Sequence, residues 1–142
     1  TRNKLFYENA LKTESFSDRL IIFFIHFAFF LKTYKNDSNK KEIQDLFDFV
    51  FKQIELSIRE IGYGDATINK KMKDYINILY SIIDKIDKWE DLDSGSKMKV
   101  IKYFIDDSSY IDNYVKYFEK YIEFLTKNTF NSLSKDILSL EN

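Results

Sequence analysis

Apolar residues crowd one stretch of the chain. Leu20 to Leu31 reads LIIFFIHFAFFL, twelve residues with His26 as the one polar member. The run has no polar face at the helical period or at the strand period. A segment of that kind must be covered on all sides by protein or by lipid. Crossing a bilayer takes about 20 apolar residues, and this run stops short, between Arg19 and Lys32. The pattern therefore predicts a buried central helix from about Ser17 to Tyr34, with a helix resting in a membrane interface as the alternative. Thr13, Ser15 and Ser17 are candidate caps at its start.

The remaining segments alternate helical stripes with breakers. A short helix is expected over Asn3 to Leu11, and Lys35 to Lys41 is expected to be a solvated loop. Ile43, Leu46, Phe47, Val50, Phe51, Ile54, Ile58 and Ile61 then recur in steps of three and four, the spacing of an amphipathic helix. Phe49 and Leu56 lie off that stripe. Gly62-Tyr63-Gly64-Asp65 ends it. Gly62 suits the left-handed position after a helix, Gly64 allows a second positive φ, and Asp65 or Thr67 can cap the next helix. That helix is predicted over Thr67 to Trp89, with Ile68, Met72, Tyr75, Ile76, Leu79, Ile83 and Ile86 on its stripe. Gly95 with Ser94 or Ser96 marks a turn and cap before a short helix carrying Val100, Ile101, Phe104 and Ile105. Ser108 or Ser109 would cap another, with Ile111, Tyr114, Val115, Phe118, Tyr121, Ile122 and Leu125 on one face. A last helix carries Phe130, Leu133, Ile137 and Leu140.

Composition sharpens this into an all-α expectation. There is no Pro and there are only three Gly among 142 residues, so breakers are scarce. The length suits one domain, 1–142, of six or seven helices around the apolar central one. Net charge is −1, with 22 basic and 23 acidic residues, so no global field attracts DNA or an anionic membrane. The absence of Cys removes disulfides, thiolate metal sites and a cysteine nucleophile. No signal peptide or membrane span is visible in the sequence.

Catalysis finds little support. His26 is the only histidine, and in mid-run it reads as hydrogen-bonded structure. No Glu-x-x-His spacing occurs, which speaks against a di-iron bundle. Gly62-Tyr63-Gly64 lacks the further glycine and the strand of a phosphate-binding loop. Asp106-Asp107 and Glu90-Asp91 fall at helix ends, where solvation accounts for them. No enzyme activity, metal or cofactor is expected.

Lys70, Lys71 and Lys73 are more informative. They fall in the first two turns of a predicted helix, near the positive end of its dipole, where a cation is mildly unfavourable. Local stability does not ask for them. They read either as a solvated face or as a contact for an acidic partner, RNA or lipid headgroups. Arg59 to Asp65 reads first as a well-made turn, with Arg59 near the last carbonyls, Gly after the helix and Asp as cap. That reading leaves unexplained why Arg59 and Asp65 occur together with the lysines.

Ser57-Ile58-Arg59-Glu60-Ile61-Gly62-Tyr63-Gly64-Asp65, followed by Lys70-Lys71-Met72-Lys73, resembles the signature of the ubiquinol-cytochrome c chaperone family. Arg19 and His26, seven residues apart with apolar residues between them, match a second element of the family. Phe6-Tyr7 and Leu46-Phe47-Asp48 match two more, and the resemblance spans roughly Phe6 to Asp87. A family Pro-Asp-Thr segment before the Arg is missing. Ser81-Ile82 replaces a Gly-Arg pair, and Ile86 an aromatic.

The resemblance implies a non-enzymatic assembly factor that helps newly made cytochrome b enter the ubiquinol–cytochrome c reductase (bc1) complex. Relatives of this kind work with a small partner protein and near the ribosomal exit region. It implies a cytoplasmic location peripheral to the inner membrane, or the mitochondrial matrix in a eukaryote. Arg59, Asp65, Lys70, Lys71 and Lys73 become partner-binding candidates, and Arg19, His26, Gly62 and Gly64 structural signature positions. Phe49, Tyr80, Tyr110, Tyr117 and Phe124, off the helix stripes, are candidates for an apolar client surface. The alternative readings are a helical binder of a small apolar ligand, a quinone or lipid, with His26 as its polar contact, and a ribosome- or RNA-contacting module built on Lys70–Lys73.

Overall fold

The computed structural model describes residues 12–105 and 111–128. Its elements are α1 (Lys12–Tyr34), α2 (Lys40–Ile61), α3 (Asp65–Ile86), a 3-10 turn (Trp89–Asp91), α4 (Ser94–Phe104) and α5 (Ile111–Thr126). Every described element is helical, as the scarcity of breakers predicts. The short helix expected over Asn3–Leu11 and the last one carrying Phe130–Leu140 lie outside the described residues. So do Tyr110 and the caps Ser108 and Ser109.

α1 is already helical at Lys12, so Thr13, Ser15 and Ser17 lie inside it and do not cap it. Most of the apolar run is covered: Phe24, Ile25, Ala28 and Phe29 are 0–1% exposed. Phe23 is the exception, 42% exposed. The reason is the neighbour on that side. α1 approaches α3 and α5 closely, whereas rings bridge a wider gap to α2, with Phe24 and Phe51 centroids at 5.8 Å and Phe27 and Phe47 at 6.5 Å. Phe23 stands at that gap.

α2 buries Ile43, Leu46, Val50, Phe51, Ile54 and Ile58, the predicted stripe, while Ile61 at its end is exposed. α3 buries Ile82 where the stripe pattern places Ile83. The loop between α1 and α2 faces solvent but is stitched from within. Asn36 Oδ1 accepts from the Ser38 and Asn39 backbone N–H groups at 2.9 and 3.1 Å, and the Asn39 side chain donates to the Tyr34 carbonyl at 2.6 Å. Asn side chains hold turns in this way by replacing backbone partners.

Two polar ties hold the C-terminal helices. Glu119 Oε1 on α5 accepts from Trp89 Nε1 at 3.2 Å and from Lys97 Nζ on α4 at 2.6 Å. Lys32 donates to the Asp87 carbonyl at 2.7 Å and to Glu90 at 3.0 Å, tying the end of α1 to the α3–α4 connection. That ion pair holds the Glu90 carboxyl below its usual pKa. α4 starts at Asp93, whose carboxylate accepts from the Ser96 N–H at 2.7 Å, so Asp93 is the cap rather than Ser94 or Ser96. No described helix is long and apolar enough to cross a membrane.

Candidate functional site

The turn between α2 and α3 is built around one positive φ. Gly62 adopts φ 106°, a left-handed conformation that closes α2, and its N–H bonds to the Arg59 carbonyl at 3.0 Å. A side chain is strained there because Cβ crowds the backbone. The second expected positive φ is absent: Gly64 is extended, φ −74°, and itself precedes α3 as the cap residue. Asp65 and Thr67 are already helical. A preceding left-handed glycine turns the chain by itself, so a second is unnecessary.

Arg59 does not sit on the last carbonyls. Its guanidinium donates to Glu55 at 3.0 Å and to Asp65 at 2.9 Å, spanning the turn. The bond to Asp65, then the bond to Glu55, raises its pKa. This brace joins the ends of α2 and α3, and because both carboxylates are at the surface its contribution to stability is small.

Lys70, Lys71 and Lys73 occupy the second and third turns of α3. The dipole of a helix acts mainly within its first turn, so the penalty expected from the sequence largely disappears. Lys71 lies over the Tyr63 ring at 4.7 Å, a cation–π contact that ties it to the turn. Lys70 and Lys73 are exposed and make no ion pair among the described residues. The corner thus pairs Arg59 with Asp65, seats Lys71 on the turn and leaves two cations outward.

Arg19 and His26 point to different places. Arg19 stands 5.8 Å over the Phe16 ring and lines a cleft of about 410 Å³ with Phe16, Ser57, Glu60 and Ile61. Three of those residues belong to the Ser57–Asp65 signature, which sequence spacing alone gives no reason to join to Arg19. Through Phe16 and Ser57 the cleft continues into an apolar one of about 300 Å³ between α1 and α2, walled by Leu20, Phe23, Phe49 and Ile54. It has one polar mouth, at Arg19 and Glu60, and an apolar length.

His26 faces α5. Nδ1 lies 2.7 Å from the Ile22 carbonyl and Nε2 lies 2.6 Å from the Tyr117 hydroxyl. The rings of Tyr117, Phe118 and Tyr121 meet it edge-on at 5.3, 5.0 and 4.8 Å. Burial pushes the His26 pKa below its ordinary value, against the Ile22 bond, and pushes Tyr121 up to about 12. Tyr34 similarly donates to the carbonyls of Leu125 and Asn128. Tyr117 and the partners of Tyr34 lie 91 or more residues away from the groups they meet, and nothing in the local pattern announces them. Phe49 lines the α1–α2 cleft, Tyr117 joins His26, and Tyr80 and Phe124 are exposed.

No group of three or more His, Asp or Glu side chains among the described residues could hold a metal ion. The family model described as ubiquinol-cytochrome C chaperone matches residues 12–122, more than three quarters of the chain. No curated protein and no solved structure gives a significant match.

Proposed function

The chain belongs to the ubiquinol-cytochrome C chaperone family, and from that premise we propose that it holds newly made cytochrome b during assembly of the bc1 complex. Membership supports a chaperone role in that pathway and a non-enzymatic one. The client is our reading, and one observation carries it: the family-matching positions Arg19, Ser57, Glu60 and Ile61 converge on a single cleft that runs into an apolar slot between α1 and α2. A membrane-protein client made in water presents apolar helix surface, and a groove with side-chain pockets is a common way to hold such a helix. Phe23, exposed in the slot wall, is surface that the fold itself leaves uncovered.

The basic corner stands beside the polar mouth of this cleft in the chain, from Arg59 through Lys73. In this reading Lys70, Lys71 and Lys73 grip acidic residues or headgroups flanking the client helix. Arg59 and Asp65 hold the turn that presents them. The protein works at the inner face of the energy-transducing membrane, touching it peripherally. A small partner protein and the ribosomal exit region are the further contacts this reading expects.

The test is capture of newly synthesised cytochrome b by tagged protein. Lys70→Glu with Lys71→Glu should abolish capture while the helical circular dichroism stays unchanged. Gln53 also lines the slot, and Gln53→Trp, which fills it, should weaken capture separately. Full capture by both variants would remove this client site. Steeply salt-dependent ribosome binding lost only in the lysine variant would favour the ribosome-contacting alternative.

A further inference from the structure

A second cleft, of about 350 Å³, opens between α1 and α5 and is lined by Ile22, His26, Asn113, Tyr114, Tyr117 and Phe118. Its walls are aromatic and aliphatic, and its volume falls near the lower end of the range of small-molecule pockets. The client reading makes no use of it. Besides Asn113, its polar character is set by one chain of hydrogen bonds.

The Ile22 carbonyl can only accept, so His26 Nδ1, 2.7 Å away, must carry the ring proton. A neutral imidazole with its proton on Nδ1 leaves a lone pair on Nε2. Burial favours the neutral ring. The hydroxyl of Tyr117, 2.6 Å from Nε2, is therefore the donor of that bond. With its proton committed to His26, the Tyr117 oxygen has only lone pairs to offer to the cleft. Tyr117 is half exposed, so the oxygen is within reach of a ligand.

We propose that this cleft binds a small flat apolar molecule carrying a hydroxyl group, a phenol or hydroquinol, whose hydroxyl donates to the Tyr117 oxygen. Flatness follows from the rings of Tyr114 and Tyr117, which offer faces and edges for stacking over the buried Phe118. The donor requirement discriminates against a quinone. Tyr117 could hold a quinone carbonyl only by withdrawing its proton from His26, leaving Nε2 without its partner. This inference stands apart from the client reading and survives its failure.

Isotope-labelled full-length protein titrated with 2-naphthol, 2-methoxynaphthalene and 1,4-naphthoquinone tests it by NMR. The expected result is shifts at His26, Asn113 and Tyr117, with 2-naphthol binding tighter than either other compound by about 2- to 10-fold, the worth of one net hydrogen bond. The His26 Nε2 resonance should move with 2-naphthol and stay still with 2-methoxynaphthalene. That signal reads the same bond in the wild type if a variant fails to fold. In Tyr117→Phe, which deletes the accepting oxygen, the preference should collapse. No binding at low millimolar ligand, equal affinities, tightest binding of the quinone, shifts confined to the α1–α2 slot, or a preference that persists in Tyr117→Phe would each overturn the proposal.

Discussion

At the seam between α1 and α5, His26 has both ring nitrogens engaged and is packed among three aromatic rings. At the corner between α2 and α3, Lys70 and Lys73 stand in solvent, and the side chains that brace the turn, Arg59 with Glu55 and Asp65, do so near the surface. The seam uses its few polar groups to satisfy one another, so removing one leaves another stranded in an apolar setting. The corner's charges are hydrated in the free protein and can be exchanged at little cost to the fold. The two regions should therefore separate stability from recognition.

The strongest blow to that division falls on the seam. Phe118 is fully buried and touches both His26 and Phe29. Phe118→Ala should lower unfolding free energy by about 3–5 kcal/mol, read by urea denaturation. A loss below about 1 kcal/mol would mean that α5 is not an integral part of the core.

Gly62→Ala comes next, because it tests whether the corner has any structural demand. At φ 106° a side chain is strained although nothing lies within 4 Å of the added carbon. A loss of about 1–2 kcal/mol is expected. Gly64→Ser should stay within a few tenths of a kcal/mol of wild type, since Gly64 is extended and serine is a good cap residue. Equal losses at both glycines would erase the distinction between them.

The seam should also respond to acid. The His26 pKa is lowered in the fold from an ordinary 6.5. Below that value the unfolded chain takes up a proton that the folded chain resists, so the stability held by the neutral ring is present above pH 6.5 and falls away as pH drops toward the folded value. The melting temperature of wild type should fall more between pH 7 and 5.5 than that of His26→Gln. Parallel curves would show that the ring is not held neutral. A comparably small effect on stability, no more than about 0.5 kcal/mol, belongs to Lys70→Glu with Lys71→Glu, while client capture is lost.

Local pattern is enough for the helices. Three- and four-residue spacing finds both α2 and α3, although α3 runs from Asp65 to Ile86 where the pattern predicts Thr67 to Trp89, and Gly62 is legible as a left-handed stop because few other residues tolerate that conformation. The pattern fails where long-range partners decide. The single histidine reads as a satisfied core residue, but its partner Tyr117 lies 91 positions away and reads only as a surface aromatic. Arg19 and the Ser57–Asp65 signature are recognisable only as separate elements. Their shared cleft depends on α1 and α2 diverging, which no periodicity encodes. Caps are illegible wherever several serines or aspartates compete, as at Asp93, because the winner is chosen by the entry angle of the preceding chain.

The chain contains one tryptophan, and it is 1% exposed, edge-on to Phe29 at 5.1 Å, with its indole N–H on Glu119. Nature has thereby placed a solitary indole, which can be excited apart from the tyrosines, where the 3-10 turn, α1 and α5 meet. Its emission should lie at short wavelength while those three parts stay together and move to longer wavelength once they separate. A client seated between α1 and α2 would leave the colour of that light unchanged, so opening of the C-terminal half and occupancy of the slot can be followed in one cuvette without a label.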